Sequence, residues 1–139
     1  MSQENYKQDA ARWFRQAKAD IKAAKGSLKN SSHEWACFQA QQAAEKGVKA
    51  LWYYCLFEPW GHSVFKLMHE FPKEDIREEL KPFYDLAREL DKLYIPTRYP
   101  NGLPDLTPSD VFTRKEAGQA INSSEKVIKM VASIIESDI

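Results

Sequence analysis

The side chains best suited to chemistry are Glu45, Lys49, His62, Lys66, Arg98 and Tyr99. Glu45 and Lys49 stand one helical turn apart with the acid first, the better orientation for a helical ion pair. Pairs of that kind ordinarily decorate a solvated helix face, which is the expectation for this one. His62 follows Gly61 at the start of a short helical pattern. Its ring can cap backbone N–H groups, pack against Trp60, or reach a phosphate. The last role needs further donors around the anion, and Arg98, held between Pro96 and Pro100, is the obvious one. Proline-stiffened backbone presents that guanidinium at little entropic cost, and its planar fork suits a phosphate or a carboxylate. An anion-binding cleft formed by Lys49, His62, Lys66, Arg98 and Tyr99 is therefore the sharpest chemical expectation.

Other chemistries find less support. His33, His62 and His69 include no pair at i, i+4 spacing and no adjacent cysteine cluster, so no metal site is expected. Cys37 and Cys55 fall in one predicted helix, roughly 27 Å apart along its axis, and cannot bridge each other there. They read as small buried hydrophobes in a reducing compartment. Glycine-rich phosphate loops are absent, with five scattered glycines. The rings Trp52, Tyr53, Tyr54, Phe57 and Trp60 are spread around a helix, so they cannot all turn inward. Trp52, Tyr53, Phe57 and Trp60 are accordingly expected to serve core and self-association together, with base stacking the sharper alternative.

The elements that must position these groups are helical. Ala10, Phe14, Ala17, Ile21, Ala24 and Leu28 recur in steps of four and three, predicting a first helix from about Glu4 to about Lys29. Ser31 with Glu34 resembles a capping box opening a second helix to about Phe57. Its stripe of Ala36, Ala40, Ala43, Gly47, Leu51 and Cys55 favours close backbone approach. Gly47, a poor helix former, suggests a contact that excludes a larger side chain. After Pro59-Trp60-Gly61 a short third helix spans about His62 to Phe71. A fourth pattern, Ile76, Leu80, Phe83, Ala87, Leu90 and Tyr94, starts with Pro72 in its first turn and is interrupted by Pro82, predicting a kink or two abutting helices. The proline-rich stretch 95–112 reads as a long loop without helical period. Thr113 with Glu116 caps a last helix carrying Ala117, Ile121, Ser124, Ile128, Val131 and Ile135. With no period-two alternation, the fold expected is all-α, an antiparallel up-and-down bundle of four to five helices, with one short helix after the second.

A chain of 139 residues suits one domain over 1–139. Hydrophobic residues at 43% and charged residues at 29% are ordinary for a globular protein. The formal net charge is zero, so no global field draws in DNA or a membrane surface. The polar start MSQENYKQDAARW lacks a signal-peptide core and no apolar run is long enough to cross a bilayer, which points to the cytoplasm.

Together, ARWFRQAKADIKAAK, FQAQQAAEKGVKALW, GHSVFKL and RYPNGLP resemble the HEPN domains (higher eukaryotes and prokaryotes nucleotide-binding), over about Arg12 to Ile135. Within the family, NSSHEWACF and LPDLTPSDVFT are most similar to the C-terminal domain of sacsin. The resemblance implies a helical bundle, commonly a two-fold homodimer, with a nucleotide or RNA site near the dimer cleft. Many members are ribonucleases with an Arg followed four to six residues later by His. This chain lacks that arrangement: Arg12 and Arg15 are the arginines upstream of its histidines, far outside the spacing, and no His follows Arg98 or Arg114. The expectation is thus a non-catalytic, dimerising module without a cofactor, binding a nucleotide such as GTP or ATP and associated with a chaperone-system protein. The alternatives are a ligand-free structural module and, third, a ribonuclease toxin working through residues such as His62 with Arg98.

Overall fold

The computed structural model describes residues 1–137, and every regular element among them is helical. Helix α1 (Gln3–Lys29) and helix α2 (His33–Tyr54) form an antiparallel hairpin against which α7 (Arg114–Ser137) packs. Between α2 and α7 lie α3 (Val64–His69), α4 (Glu74–Leu80), α5 (Tyr84–Asp91) and α6 (Pro108–Val111). The bundle expected from periodicity is the fold observed.

Small side chains explain the close packing of α2. Ala36, Ala40, Ala43, Ala44 and Ala50 are all fully buried. A Cβ added at Gly47 would lie 3.4 Å from Ile128 Cγ1 of α7. Alanine therefore fits there in van der Waals contact, whereas anything longer meets α7, a narrower restriction than the sequence suggested. Phe71, Leu51, Met68, Leu80 and Leu90 fill the space between α2 and the α3–α5 segment.

The junction between α1 and α2 differs from the expected capping box. Ser31 lies at φ 63°, its N–H donates to the Leu28 carbonyl (3.1 Å), and Ser32 N–H reaches Ser27 (2.9 Å). That is a Schellman stop with serine where glycine is favoured. Ser32, not Ser31, precedes α2. The end of α2 repeats the pattern with Leu56 at φ 71°, where Leu56 N–H donates to Tyr53 (2.9 Å) and Phe57 N–H to Trp52 (3.0 Å). The helix consequently stops at Tyr54, ahead of the expected Phe57.

Pro82 divides the fourth pattern into α4 and α5 through a single 3-10 turn, Lys81–Phe83. Pro72 sits outside α4, because Lys73 is extended and serves as its N-cap. The proline-rich stretch contains a 3-10 turn at Pro100–Gly102 and the short α6, neither expected from periodicity. Asp110 nucleates α6 by accepting from the N–H (3.1 Å) and hydroxyl (2.8 Å) of Thr107. The Thr113–Glu116 box forms as expected, with Thr113 N–H on Glu116 Oε1 and Glu116 N–H on Thr113 Oγ1, each at 3.1 Å. Among the described residues no helix is long and apolar enough to cross a membrane.

Candidate functional site

Glu45 and Lys49 lie on one strip of α2, and the strip is not solvated. Glu45 is 3% exposed and Lys49 is 9% exposed. The surface pair expected from spacing is thus a buried pair, because His62 and Trp13 cover it from either side. Lys49 Nζ donates to Glu45 Oε2 at 3.0 Å and stands 5.5 Å from the Trp13 ring. Gln41, fully buried, donates to Glu45 Oε1 (3.3 Å) and to the His62 carbonyl (3.2 Å), tying α2 to the turn before α3. Gln42 donates to the Gln41 side-chain carbonyl at 2.8 Å. Such a network satisfies charges that would otherwise be costly to bury.

His62 completes the network, its Nδ1 lying 3.3 Å from Glu45 Oε2. An ionised carboxylate only accepts, so Nδ1 is the donor in this contact. The imidazole is 61% exposed and stacks on Tyr94, with centroids 5.0 Å apart and planes 14° from parallel. Tyr94 in turn meets Phe38 (6.2 Å), and Phe38 meets Trp35 (6.1 Å). Trp35 is half exposed at the N-terminal turn of α2. These rings form a ribbon from α2 to the turn after α5.

Arg98 inserts into that ribbon. Its guanidinium carbon lies 4.3 Å from the Phe38 centroid, 4.7 Å from Tyr94 and 5.1 Å from Tyr99. Nε and Nη2 both donate to the Tyr94 carbonyl, at 2.9 and 2.7 Å. Arg98 therefore caps the turn after α5, and Nη1 is the nitrogen without a hydrogen-bond partner among the described residues. Tyr99 is 49% exposed beside it.

The expected set is thus brought together in part. Lys49 and His62 share Glu45, while His62, Arg98 and Tyr99 share the Tyr94 neighbourhood. Lys49 stands behind the surface as a partner of Glu45. Lys66 points into solvent from α3 and contacts none of the other candidates through a hydrogen bond or ring among the described residues. Trp35, Phe38 and Gln41 carry no site expectation from sequence, and Tyr94 enters there only as an apolar position of the fourth helical pattern. Their signals were the i, i+3 spacing of Trp35 and Phe38 and the i, i+4 spacing of Tyr94 and Arg98.

The start of α3 is already occupied. Asp91 of α5 accepts from Val64 N–H (2.6 Å), Phe65 N–H (3.3 Å) and Ser63 Oγ (2.5 Å). Ser63 Oγ takes the Lys66 N–H at 3.0 Å. The protein's own carboxylate thus fills the place a phosphate takes at a helix start. His62 caps nothing there, contrary to one of the roles its position allowed.

Of the four rings expected at an interface, Trp52 is committed within the chain. Its indole N–H donates to the Leu67 carbonyl (3.0 Å) and its ring sits edge-on to Phe71 (5.4 Å). Tyr53 packs beside Trp13 (5.8 Å) and Tyr6 (6.3 Å), and Phe57 is half-buried. Trp60 is 83% exposed. Burial pushes the Cys37 thiol up to about 12, with Glu116 and Glu34 adding to the effect, so it is held protonated. No group of three His, Cys, Asp or Glu side chains among the described residues is arranged to hold a metal.

The HEPN domain family model matches residues 10–135 of the chain. The crystal structure of TT1696 from Thermus thermophilus is 36% identical, with a TM-score of 0.81 over 89% of this chain and 96% of that one. ST0689, an archaeal HEPN homologue, is 32% identical, with a TM-score of 0.74 over 91% and 97%. An HEPN domain protein from Thermotoga maritima is 31% identical, with a TM-score of 0.67 over 90% and 98%. No curated protein matches the chain.

Proposed function

The chain belongs to the HEPN domain family, and on that premise we propose that it is a non-catalytic, dimerising module that binds a nucleotide at the ring ribbon. One observation carries the reading: an exposed imidazole, two tyrosines and a guanidinium form a continuous chain of ring contacts, His62 on Tyr94, Tyr94 on Arg98 and Arg98 on Tyr99. Such a ledge offers stacking faces to a base, and stacking on an aromatic contributes about 1–3 kcal/mol per base. The unpartnered Nη1 of Arg98 supplies a charge-assisted bond to a phosphate. Lys66 adds a second cation from α3, and Lys49 acts from behind by holding Glu45 and so the imidazole.

Titration calorimetry with GTP and ATP tests this. Heat of binding is expected, with Tyr99→Ala and His62→Ala each weakening it at least about fivefold, and Arg98→Lys more than Lys66→Ala. A folded protein giving no heat and no thermal shift at millimolar nucleotide refutes the reading. The non-catalytic part predicts that total RNA survives incubation as it does in buffer. RNA loss that His62→Ala abolishes would instead make His62 an acid–base group oriented by Glu45.

The second reading, a ligand-indifferent dimerisation module associated with a chaperone-system protein, rests on Leu56 and Trp60, both exposed in the α2–α3 turn, and on the sacsin-like stretches of sequence. Sedimentation velocity on Trp60→Glu separates it. A folded monomer that no longer dimerises, from a parent indifferent to nucleotide, supports it.

A further inference from the structure

A groove of about 550 Å³ runs between α1 and α7, on a face that the ring ribbon does not use. Its floor is apolar, made by Phe14 and Ile21 of α1 and Ile128 and Ala132 of α7. Its rims are basic. Lys18, Lys22 and Lys25 stand at i, i+4 and i+7 along α1, and Lys129 stands on α7. Lys25 closes one end by pairing with Glu125 at 2.8 Å. Lys18, Lys22 and Lys129 have no carboxylate partner among the described residues, in a chain whose acidic and basic residues are equal in number.

We infer that this groove docks an acidic amphipathic helix of a partner protein. From Phe14 to Lys25 the α1 wall is about 16 Å long, or three helical turns. That length accepts a helix of about 11 residues laid along the seam, with its apolar stripe on the floor. Glutamates or aspartates at i and i+4 on one flank of that helix meet Lys18 and Lys22 in register, and one on its other flank meets Lys129. Unpaired lysines select for such a partner and speed its encounter. A two-fold pairing of the groove with a second copy would set one lysine rim against another. The groove shares no residue with the ring ribbon, so docking here does not depend on nucleotide binding there.

The probe is a fluorescent synthetic helix of about 14 residues, leucine on one face, with glutamates at i and i+4 on one flank and one glutamate on the other. Anisotropy is expected to report saturable binding in the micromolar range. Binding should fall at least tenfold with Lys22→Glu combined with Lys129→Glu, both exposed positions, while circular dichroism confirms an unchanged fold. A scrambled peptide and a lysine-for-glutamate peptide should bind at least tenfold more weakly. Equal binding of the scrambled peptide, or an unaffected double variant, overturns the inference. So does concentration-dependent self-association that the double variant abolishes while the peptide stays silent, because that result gives the groove to a second copy. Stabilisation by dodecanoate without peptide binding overturns it in favour of a small anionic amphiphile.

Discussion

Removing one member of the Glu45–Lys49 pair should cost far more than removing both. Glu45→Met strands the Lys49 ammonium where only 11% of its side-chain surface reaches water, and leaves Gln41 and His62 each without one partner. Breaking a buried pair costs about 3–5 kcal/mol. Lys49 keeps that residual exposure to water, so the lower end applies, about 3 kcal/mol. For a domain of this size each kcal/mol moves Tm by about 3–4 °C, giving a fall of about 10 °C. Lys49→Met should cost a similar amount. The double variant Glu45→Met, Lys49→Met replaces the pair with apolar side chains of similar volume and should return to within about 1 kcal/mol of the parent. Urea melts of the four proteins give the coupling directly. The double variant should nevertheless lose nucleotide affinity, since His62 no longer has a carboxylate to fix its ring. Additive single effects, or a double variant less stable than either single, would refute the assignment of this pair as a mutually compensating buried unit.

Ser31→Gly should raise stability by about 0.5–1 kcal/mol, because an L side chain at φ 63° is strained and glycine is not; thermal melts check it. Asp91→Ala should lower stability by about 2 kcal/mol, since it uncouples the start of α3 from α5 and leaves two backbone donors unpaired. Asp91→Asn, retaining one acceptor, should cost less, and equal losses would count against the capping account. Asp110 has its carboxyl held below the usual range, first by the Thr107 backbone bond and then by the Thr107 hydroxyl. Its support of α6 is therefore complete above the ordinary aspartate range and is lost as pH falls through the depressed folded value. Amide chemical shifts of residues 107–111, followed during acid titration, should report that midpoint below the value of an unstructured aspartate.

The sequence by itself determined the fold class, the extent of α1, the break at Pro82 and the start of α7, because those signals are confined to single elements. Helical periodicity marked the buried faces of α1 and α7: Ala17 and Ile21 are buried, as are Ile121 and Val131. Thr113 and Glu116 stopped and started chain locally, and Pro82 forced a break whatever surrounded it. The chemistry of the site was legible only as residue types. That Glu45 and Lys49 are buried depends on what crosses α2 at that height, namely Trp13 from α1 and His62 from the turn before α3, and one helix's spacing cannot encode a crossing. Asp91 reaching the start of α3, and Tyr94 lying under His62 with Arg98 folded back onto its carbonyl, are meetings of distant segments whose energies are realised only after the core has closed. Local pattern set which face of each helix turns inward; the angles at which the helices cross decided which polar groups meet there.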